Sequence, residues 1–301
     1  MQDRYVGDIG DFGKFALLKE LNKQGLSIGI NWYKTEVLPS EMKPDGSYKH
    51  NDGRHTIPDR LGECDRPLAE NLSKIANNNR SILALEEADL IPNAVYYREP
   101  VPVADKRLDW HNQAMSFFET SNTDLVFLDP DNGLLAASVK KKQPRSVKYV
   151  FYEEVIDYIK QGYSILVYNH RSRKPEWKYF NEIDSRLRSA GLRNNAEILT
   201  ITFPRFSVRD YFAISEKQEH IIKIRAAFGE MLSGKWAKTR MTQKPLTMGV
   251  TYSEYRARFK YENDFTRHYK TLPENIVRDM INLDTGNTTT KACMYSIWKE
   301  S

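Results

Sequence analysis

The sequence is poor in cysteine, has no long apolar run and has no glycine-rich loop after its first predicted strand. Its two cysteines, Cys64 and Cys293, stand far apart, which excludes a disulfide scaffold and a thiolate zinc site. No segment approaches the ~18 apolar residues of a membrane span. The first residues, Met1-Gln2-Asp3-Arg4, lack the basic and apolar regions of a signal peptide. We therefore expect a cytoplasmic protein without a membrane partner.

The composition is that of a protein with a large core and a modest basic excess. The 301 residues are 40% hydrophobic and carry a net charge of +5, and the mean hydropathy is −0.63. Basic residues concentrate in two regions, residues 140–148 and residues 235–270, and aromatic residues interleave with the second. Cations neutralise phosphates and flat rings stack on unpaired bases, so this mixture suits DNA or RNA as a partner. For the second region, a solvated amphipathic helix with its aromatics in the core is the alternative.

The order of predicted elements indicates an α/β fold. Strands near 27–33, 94–98, 125–128 and 164–168 alternate with helical segments, and residues 197–203 and 211–215 read as an antiparallel pair. This alternation predicts a Rossmann-like, doubly wound, mainly parallel sheet over residues 1–238. Residues 39–67 form a polar loop or insertion within it. Residues 239–301 are predicted to be a basic, aromatic-rich helical extension.

The most informative segment is the strand of residues 125–128 with the loop after it. The apolar run ends in Asp129-Pro130-Asp131-Asn132 and then Gly133. In open α/β sheets, ligands bind beyond the carboxyl ends of the strands where the strand order reverses. These four residues are therefore the candidate catalytic residues. The alternative is a Pro-Asp-Gly turn that closes an ordinary strand.

A second motif lies at the amino terminus, where three glycines and two aspartates fall within residues 7–13, around the start of a helix predicted from Phe12. Asp11 is a candidate N-cap and Asp8 a candidate turn residue. Lys14 falls in the first turn of that helix, where a cation opposes the helix dipole, so an anion or the Asp129 carboxylate is its expected partner. The alternative is a capped helix with an unrelated lysine. The candidate ligand-binding residues of this segment are Gly7, Asp8, Gly10, Asp11 and Lys14.

Together these features resemble the bacterial 23S ribosomal RNA adenine-N6 methyltransferases, which are Rossmann-like S-adenosylmethionine enzymes. That family places a glycine- and aspartate-bearing segment before a helix with a lysine, and an Asp-Pro-Pro-Tyr motif after its fourth strand. Here residues 7–14 and 129–132 fall at those places, and Asn169 ends the next strand.

The resemblance implies a nucleic-acid methyltransferase that uses S-adenosyl-L-methionine, with adenine N6 as the target. Asp129 would accept a hydrogen bond from the target amine, and Asn132 and Asn169 would orient substrate or cofactor. The implied cofactor-binding residues are Gly7, Asp8, Gly10, Asp11, Lys14, Asn31 and Trp32. The implied substrate-binding residues are Lys140, Lys141, Lys142, Arg145, Lys148, Asn169, His170 and Arg171.

Two departures from the family keep other functions open. The first strand is followed by Asn31-Trp32-Tyr33 rather than by glycines, and no aromatic residue stands at position 132. Trp32, Tyr33 or Tyr168 would have to supply the ring that stacks on a flipped base. One alternative is a nuclease or phosphodiesterase with Mg²⁺ or Mn²⁺ on the aspartates and a base at His170. The other is a non-catalytic module that binds nucleic acid or a protein.

Overall fold

A seven-stranded sheet with helices on both faces forms the body of the computed structural model. The structure describes residues 1–47, 49, 55–174, 176–244, 252, 256, 262–270, 277, 280 and 281. The strand order is β2-β1-β3-β6-β8-β7-β9, and the first four strands in this order run parallel. Strand β8 is antiparallel to both of its neighbours, and β9 is antiparallel to β7. The prediction of a mixed α/β fold with a mainly parallel sheet and an antiparallel pair is confirmed.

The strands of the sheet are β1 (Ile28–Asn31), β2 (Val95–Tyr97), β3 (Leu125–Leu128), β6 (Ser164–His170), β7 (Glu197–Arg205), β8 (Ser207–Ser215) and β9 (Thr242–Lys244). A separate two-stranded pair joins β4 (Gly133–Leu134) to β5 (Tyr149–Val150). The helices are α1 (Ile9–Lys23), α2 (Asp59–Gly62), α3 (Arg66–Asn78), α4 (Ile82–Glu87), α5 (Arg107–Glu119), α6 (Tyr152–Lys160), α7 (Glu176–Ser189), α8 (Gln218–Leu232) and α9 (Glu262–Tyr269).

The central strands are buried on both faces. Along β3, Leu125 and Phe127 join the apolar cluster that includes α1, α3 and α8. Val126 and Leu128 point the other way, into the cluster that includes α5, α6 and α7. A strand covered on both faces has no solvent side, which explains why the sequence of β3 is a continuous apolar run rather than an alternation.

The direction of strand addition reverses at β1. The chain passes from β1 to β2 on one side and then returns to place β3 on the other side of β1. The carboxyl ends of β1 and β3 therefore flank the switch point of the sheet, which is where open α/β sheets bind ligands. Residues 129–132 follow β3 at this edge.

The element bounds differ from the predictions at several places. Helix α1 begins at Ile9 rather than Phe12, because Asp8 is its N-cap. The polar segment 39–67 contains α2 and the start of α3, while residues 48 and 50–54 lie outside the described residues. The hairpin strands extend to a turn at Phe206. Most of the predicted extension at 239–301 lies outside the described residues, as does Cys293.

Candidate functional site

A cleft of about 830 Å³ opens at the carboxyl edge of the sheet, beside the switch point. The amino end of α1, the loop after β3, and the ends of β6 and β8 form its walls. Among the sequence-predicted residues, the cleft is lined by Asp8, Gly10, Asp11, Lys14, Asp129, Pro130, Asp131, Asn132, Arg145, Lys148 and His170. The two motif segments, more than a hundred residues apart in sequence, thus meet in one place.

Asp8 and Asp11 organise the start of α1. Asp8 Oδ1 accepts hydrogen bonds from the main-chain N–H groups of Gly10 at 2.7 Å and Asp11 at 3.0 Å, which is N-cap geometry. Asp11 Oδ2 accepts from the Gly7 N–H at 2.8 Å. A Cβ at position 10 would lie 2.9 Å from the Arg209 guanidinium and from Asp8 Oδ1, so a larger residue would force these side chains to shift.

Lys14 joins the helix to the loop after β3. Its Nζ lies 2.7 Å from Asp11 Oδ1 and 2.7 Å from Asp129 Oδ2, and all three side chains are buried. Burial alone would lower the pKa of Lys14, but the two carboxylates outweigh it and raise the pKa. Burial raises the pKa of Asp129, and Lys14 together with the amino group of Met1 offsets part of that increase. Lys14 therefore has the predicted carboxylate partner at Asp129, although α1 begins at Ile9 and Lys14 lies in its second turn rather than its first.

Asp131 is held by a second set of partners. Its Oδ2 accepts from Gln2 Nε2 at 2.7 Å and Thr35 Oγ1 at 3.1 Å, and it lies 3.2 Å from Lys148 Nζ. The amino group of Met1 lies 3.1 Å from Oδ1. Burial would raise the pKa of Asp131, but the amino group and Lys148 outweigh it and hold the pKa below its usual range.

Asn169 fixes the end of the loop rather than facing the large cleft. Its Oδ1 accepts from the Leu134 N–H at 2.7 Å, and its Nδ2 donates to Tyr179 Oη at 2.6 Å. Gly133 has φ +112°, and a Cβ there would lie 2.0 Å from Asn169 Oδ1. Asn169 lines a smaller cleft of about 440 Å³, which shares Asn132 and His170 with the large one.

Arg209, Tyr168 and His170 form the wall contributed by β6 and β8. Arg209 Nε donates to Tyr168 Oη at 3.1 Å, and the same hydroxyl lies 3.0 Å from His170 Nε2. Burial raises the pKa of Tyr168 to about 12, so the hydroxyl is neutral. Its ring faces Lys14 Nζ at 5.6 Å. Of the three rings considered as substitutes for the missing aromatic, Tyr168 lines the cleft.

Asp8 is a carboxyl group whose proton exchange falls close to neutral pH. Burial and the neighbouring Asp11 raise its pKa to about 6, and Arg209 lowers it in part. The Arg209 Nη2 atom lies 3.9 Å from Asp8 Oδ2. A buried carboxyl with a pKa near 6 in a cleft is a functional-site candidate, since it can give or take a proton close to neutral pH.

Charges in the cleft balance. Five cationic groups line it, and so do five carboxylates. The cations are the amino group of Met1, Lys14, Arg145, Lys148 and Arg209; the carboxylates are Asp8, Asp11, Glu41, Asp129 and Asp131. Such a cleft presents hydrogen-bond donors and acceptors together, and it suits a polar ligand better than a highly charged polyphosphate.

The end of β1 is closed by the protein itself. Three residues at this end are completely buried: Asn31, Trp32 and Tyr33. The Trp32 indole donates a hydrogen bond to Glu86, and its ring stacks on Tyr96. The amino group of Met1 donates to the main-chain oxygens of Trp32 at 3.0 Å, Tyr33 at 2.9 Å and Asp129 at 3.0 Å. Asn31 and Trp32 therefore lie outside the cleft, as does Gly7, which packs against α3.

The predicted phosphate-binding residues divide into two groups. Arg145 is exposed and lines the cleft, while Lys148 is buried and pairs with Glu41 at 2.6 Å. Lys140, Lys141 and Lys142 are exposed outside the lining, and Lys141 pairs with Glu153 at 2.9 Å. Arg171 lies outside the cleft as well, because its guanidinium binds the Asp210 carboxylate at 2.9 and 2.5 Å.

The four aspartates do not form a metal cluster. Throughout the described part of the chain, no group of three or more His, Cys, Asp or Glu side chains could hold a metal ion. Three of them form ion pairs with cationic groups of the protein instead: Asp11, Asp129 and Asp131. The fourth, Asp8, caps α1.

Several lining residues were not predicted from the sequence: Met1, Tyr5, Leu38, Ser40, Glu41, His55, Phe206, Ser207 and Arg209. For Arg209 the antiparallel pairing of β6 and β8 provided a signal, because Arg209 lies in register with His170. Finding it required the position of the hairpin turn, which the sequence did not reveal.

The fold and site define a mixed α/β protein with a polar cleft at the carboxyl edge of its sheet. No protein-family model matches the chain, and no curated protein matches it in sequence. No helix among the described residues is both long and apolar enough to cross a membrane.

Proposed function

We propose that the protein acts on nucleic acid and that its cleft receives one unstacked nucleotide whose base carries an exocyclic amino group. The observation that supports this most is the Asp129 carboxyl group. Lys14 fixes its Oδ2 atom, and among the described residues no hydrogen bond reaches Oδ1. The amino groups of adenine and cytosine are donors that a carboxylate accepts.

The rest of the cleft supplies groups for the remaining parts of a nucleotide. Tyr168 offers an aromatic wall next to Lys14, against which a base can stack. Exposed Arg145 carries a guanidinium group suited to a phosphate oxygen. The balanced charge of the cleft favours one base with one phosphate over a run of phosphates. Asp8, with its pKa of about 6, is the residue that we assign to proton transfer with the bound nucleotide.

Oligonucleotide binding tests this proposal. Two single-stranded probes would differ only in one central base, adenine in one and hypoxanthine, which lacks the amino group, in the other. We expect hypoxanthine to weaken binding about 5- to 150-fold, which is the range for one specific base contact. The Asp129→Ala variant should bind both probes equally. Equal binding of the two probes by the native protein would refute the amino-group assignment without depending on the variant.

The cofactor implied by the resemblance does not fit at the end of β1. That place in the sheet is filled by the buried side chains of Trp32 and Tyr33, and their main-chain oxygens are already hydrogen-bonded to the amino group of Met1. The glycine loop that would let a ligand approach this backbone is absent from the sequence. An S-adenosylmethionine site at this position is therefore not compatible with these residues.

Methyl transfer to nucleic acid is the second candidate, and one observation favours it. The two segments that carry the resemblance are joined by the 2.7 Å contact between Lys14 and Asp129. Calorimetric titration with S-adenosylmethionine tests this candidate, and the absence of binding at millimolar cofactor would end it. Cleavage of an oligonucleotide with Mg²⁺ or Mn²⁺, lost in Asp129→Ala, would support a nuclease instead. Oligonucleotide binding without either reaction would leave a binding module.

A further inference from the structure

Two aromatic rings stand together at the mouth of the cleft. Phe206 lies at the tip of the β7–β8 hairpin and is 64% exposed. His55 lies before α2, and its main-chain oxygen accepts from the Ile9 N–H at the start of α1. The centroids of the Phe206 and His55 rings are 4.3 Å apart and their planes differ by 13°. Both residues line the cleft, so this stacked pair forms part of its rim.

The hairpin holds Phe206 in an unfavourable backbone conformation. Residues Arg205 and Ser207 still pair with each other, which leaves Phe206 alone in the turn with φ +59°. Glycine adopts this left-handed conformation readily, whereas bulky side chains rarely do. A large exposed ring at such a position costs stability and gains no core packing. Backbone strain of this kind concentrates at functional sites.

Arg209 connects this turn to the centre of the cleft. Its Nη1 atom donates to the main-chain oxygens of Arg205 at 2.8 Å and Ser207 at 3.2 Å, on either side of Phe206. The other guanidinium nitrogens face Tyr168 and Asp8. The same buried side chain therefore fixes the position of the exposed ring and forms the wall of the cleft.

We propose that Phe206 and His55 form a stacking platform for an unpaired base of single-stranded nucleic acid, next to the nucleotide held in the cleft. This inference rests on the proposed function above. Ring faces stack on any base, so the platform would add affinity without sequence preference. Exposed Arg145, which also lines the cleft, is placed to contact a phosphate of the same strand.

Substitutions at Phe206 test the platform with a fluorescent single-stranded oligonucleotide at low salt. Phe206→Leu should weaken binding about 5- to 150-fold, the effect of removing one base–aromatic stack. Phe206→Trp should bind within about twofold of the native protein. Phe206→Gly should lose affinity as Phe206→Leu does, while its thermal midpoint stays equal to or above the native value because glycine relieves the positive φ. Phe117→Leu, at a ring that is 36% exposed on α5, is the matched control and should change nothing.

The outcomes separate this inference from the function it rests on. If the native protein binds no oligonucleotide, the proposed function fails and the platform fails with it. If the native protein binds and still prefers adenine to hypoxanthine, but Phe206→Leu binds equally well, the platform alone is refuted. Quenching of 2-aminopurine placed beside the central base, lost in Phe206→Leu and kept in Phe206→Trp, would support stacking at this position.

Discussion

Replacing Asp8 by asparagine should stabilise the protein at neutral pH and leave its stability unchanged in acid. Asp8 caps α1 with Oδ1, which accepts from two main-chain N–H groups. Asparagine offers an equivalent oxygen and is an equally good N-cap. The substitution therefore keeps the helix start and removes a carboxyl group that is costly to ionise where it lies.

The expected magnitude follows from the pKa of Asp8. Burial and Asp11 raise this pKa from its ordinary 3.8 to about 6, and the value already includes the attraction of Arg209. A difference of this size corresponds to about 3 kcal/mol of unfolding free energy. Because the folded state holds the proton more tightly, the native protein loses this amount as the pH rises from about 4 to about 7. Asp8→Asn should not lose it.

Urea unfolding followed by circular dichroism between pH 4.5 and 8 measures this difference. We expect Asp8→Asn to be about 2–3 kcal/mol more stable than the native protein at pH 7.5, and this difference should shrink to about 1 kcal/mol at pH 4.5 and vanish at lower pH. Asp65→Asn is the matched control. Asp65 caps α3 in the same way, but its other oxygen lies 2.5 Å from Lys19, so the variant should gain no stability at neutral pH.

Two results would refute this reasoning. A variant that is less stable than the native protein at pH 7.5 would mean that the Asp8 charge stabilises the fold. A stability difference that is the same at every pH would mean that Asp8 does not titrate in this range. An NMR titration of the Asp8 carboxyl carbon gives the pKa independently.

Four further substitutions test other parts of the site and fold. Lys14→Met should cost about 3–5 kcal/mol in urea unfolding at pH 7, because it leaves two buried carboxylates without their cation, and the cost should shrink towards pH 4. Gly133→Ala should lower the thermal midpoint strongly, because its φ is +112° and the new methyl would overlap Asn169. Gly229→Ala, within α8 and with no atom near the new methyl, should gain up to about 1 kcal/mol. Burial, with a smaller effect of a nearby lysine, lowers the pKa of His220; the stability of His220→Asn relative to the native protein should therefore increase as the pH falls below ~6.5.

The location of the cleft could be predicted from the sequence because strand ends and helix starts carry strong local signals. An apolar run that stops at two carboxylates identified the end of β3. A helix predicted from Phe12 placed Lys14 in the first turn, where a cation is disfavoured, and so indicated a nearby anion. The helix begins at Ile9, so Lys14 lies in the second turn, but Asp129 is the anion that it contacts. Both inferences needed only the chain direction and the electrostatics of one helix.

The part of the opposite wall that β8 contributes could not be predicted, because it depends on strand register. Arg209 enters the cleft because it pairs opposite His170, and that register follows from a turn of one residue at Phe206. Hairpin turns are normally found from glycine, asparagine or aspartate, and Phe206 carries no such signal. Glu41 was missed for a related reason: it reaches Lys148 from a polar segment whose path has no periodic pattern.

The absence of a glycine loop after β1 and the presence of two aromatic residues there have the same structural consequence. A glycine loop leaves backbone exposed for a ligand, whereas Trp32 and Tyr33 fill the same region with buried rings. Tyr33 adopts a positive φ of 43°, and the main-chain oxygens of both residues are satisfied within the protein. Buried backbone oxygens require partners, so a ligand at the end of β1 would have to displace contacts that already meet this need. Asp129, one strand further along, has an oxygen that accepts no hydrogen bond from the described residues, and the chemistry of the cleft is expected there.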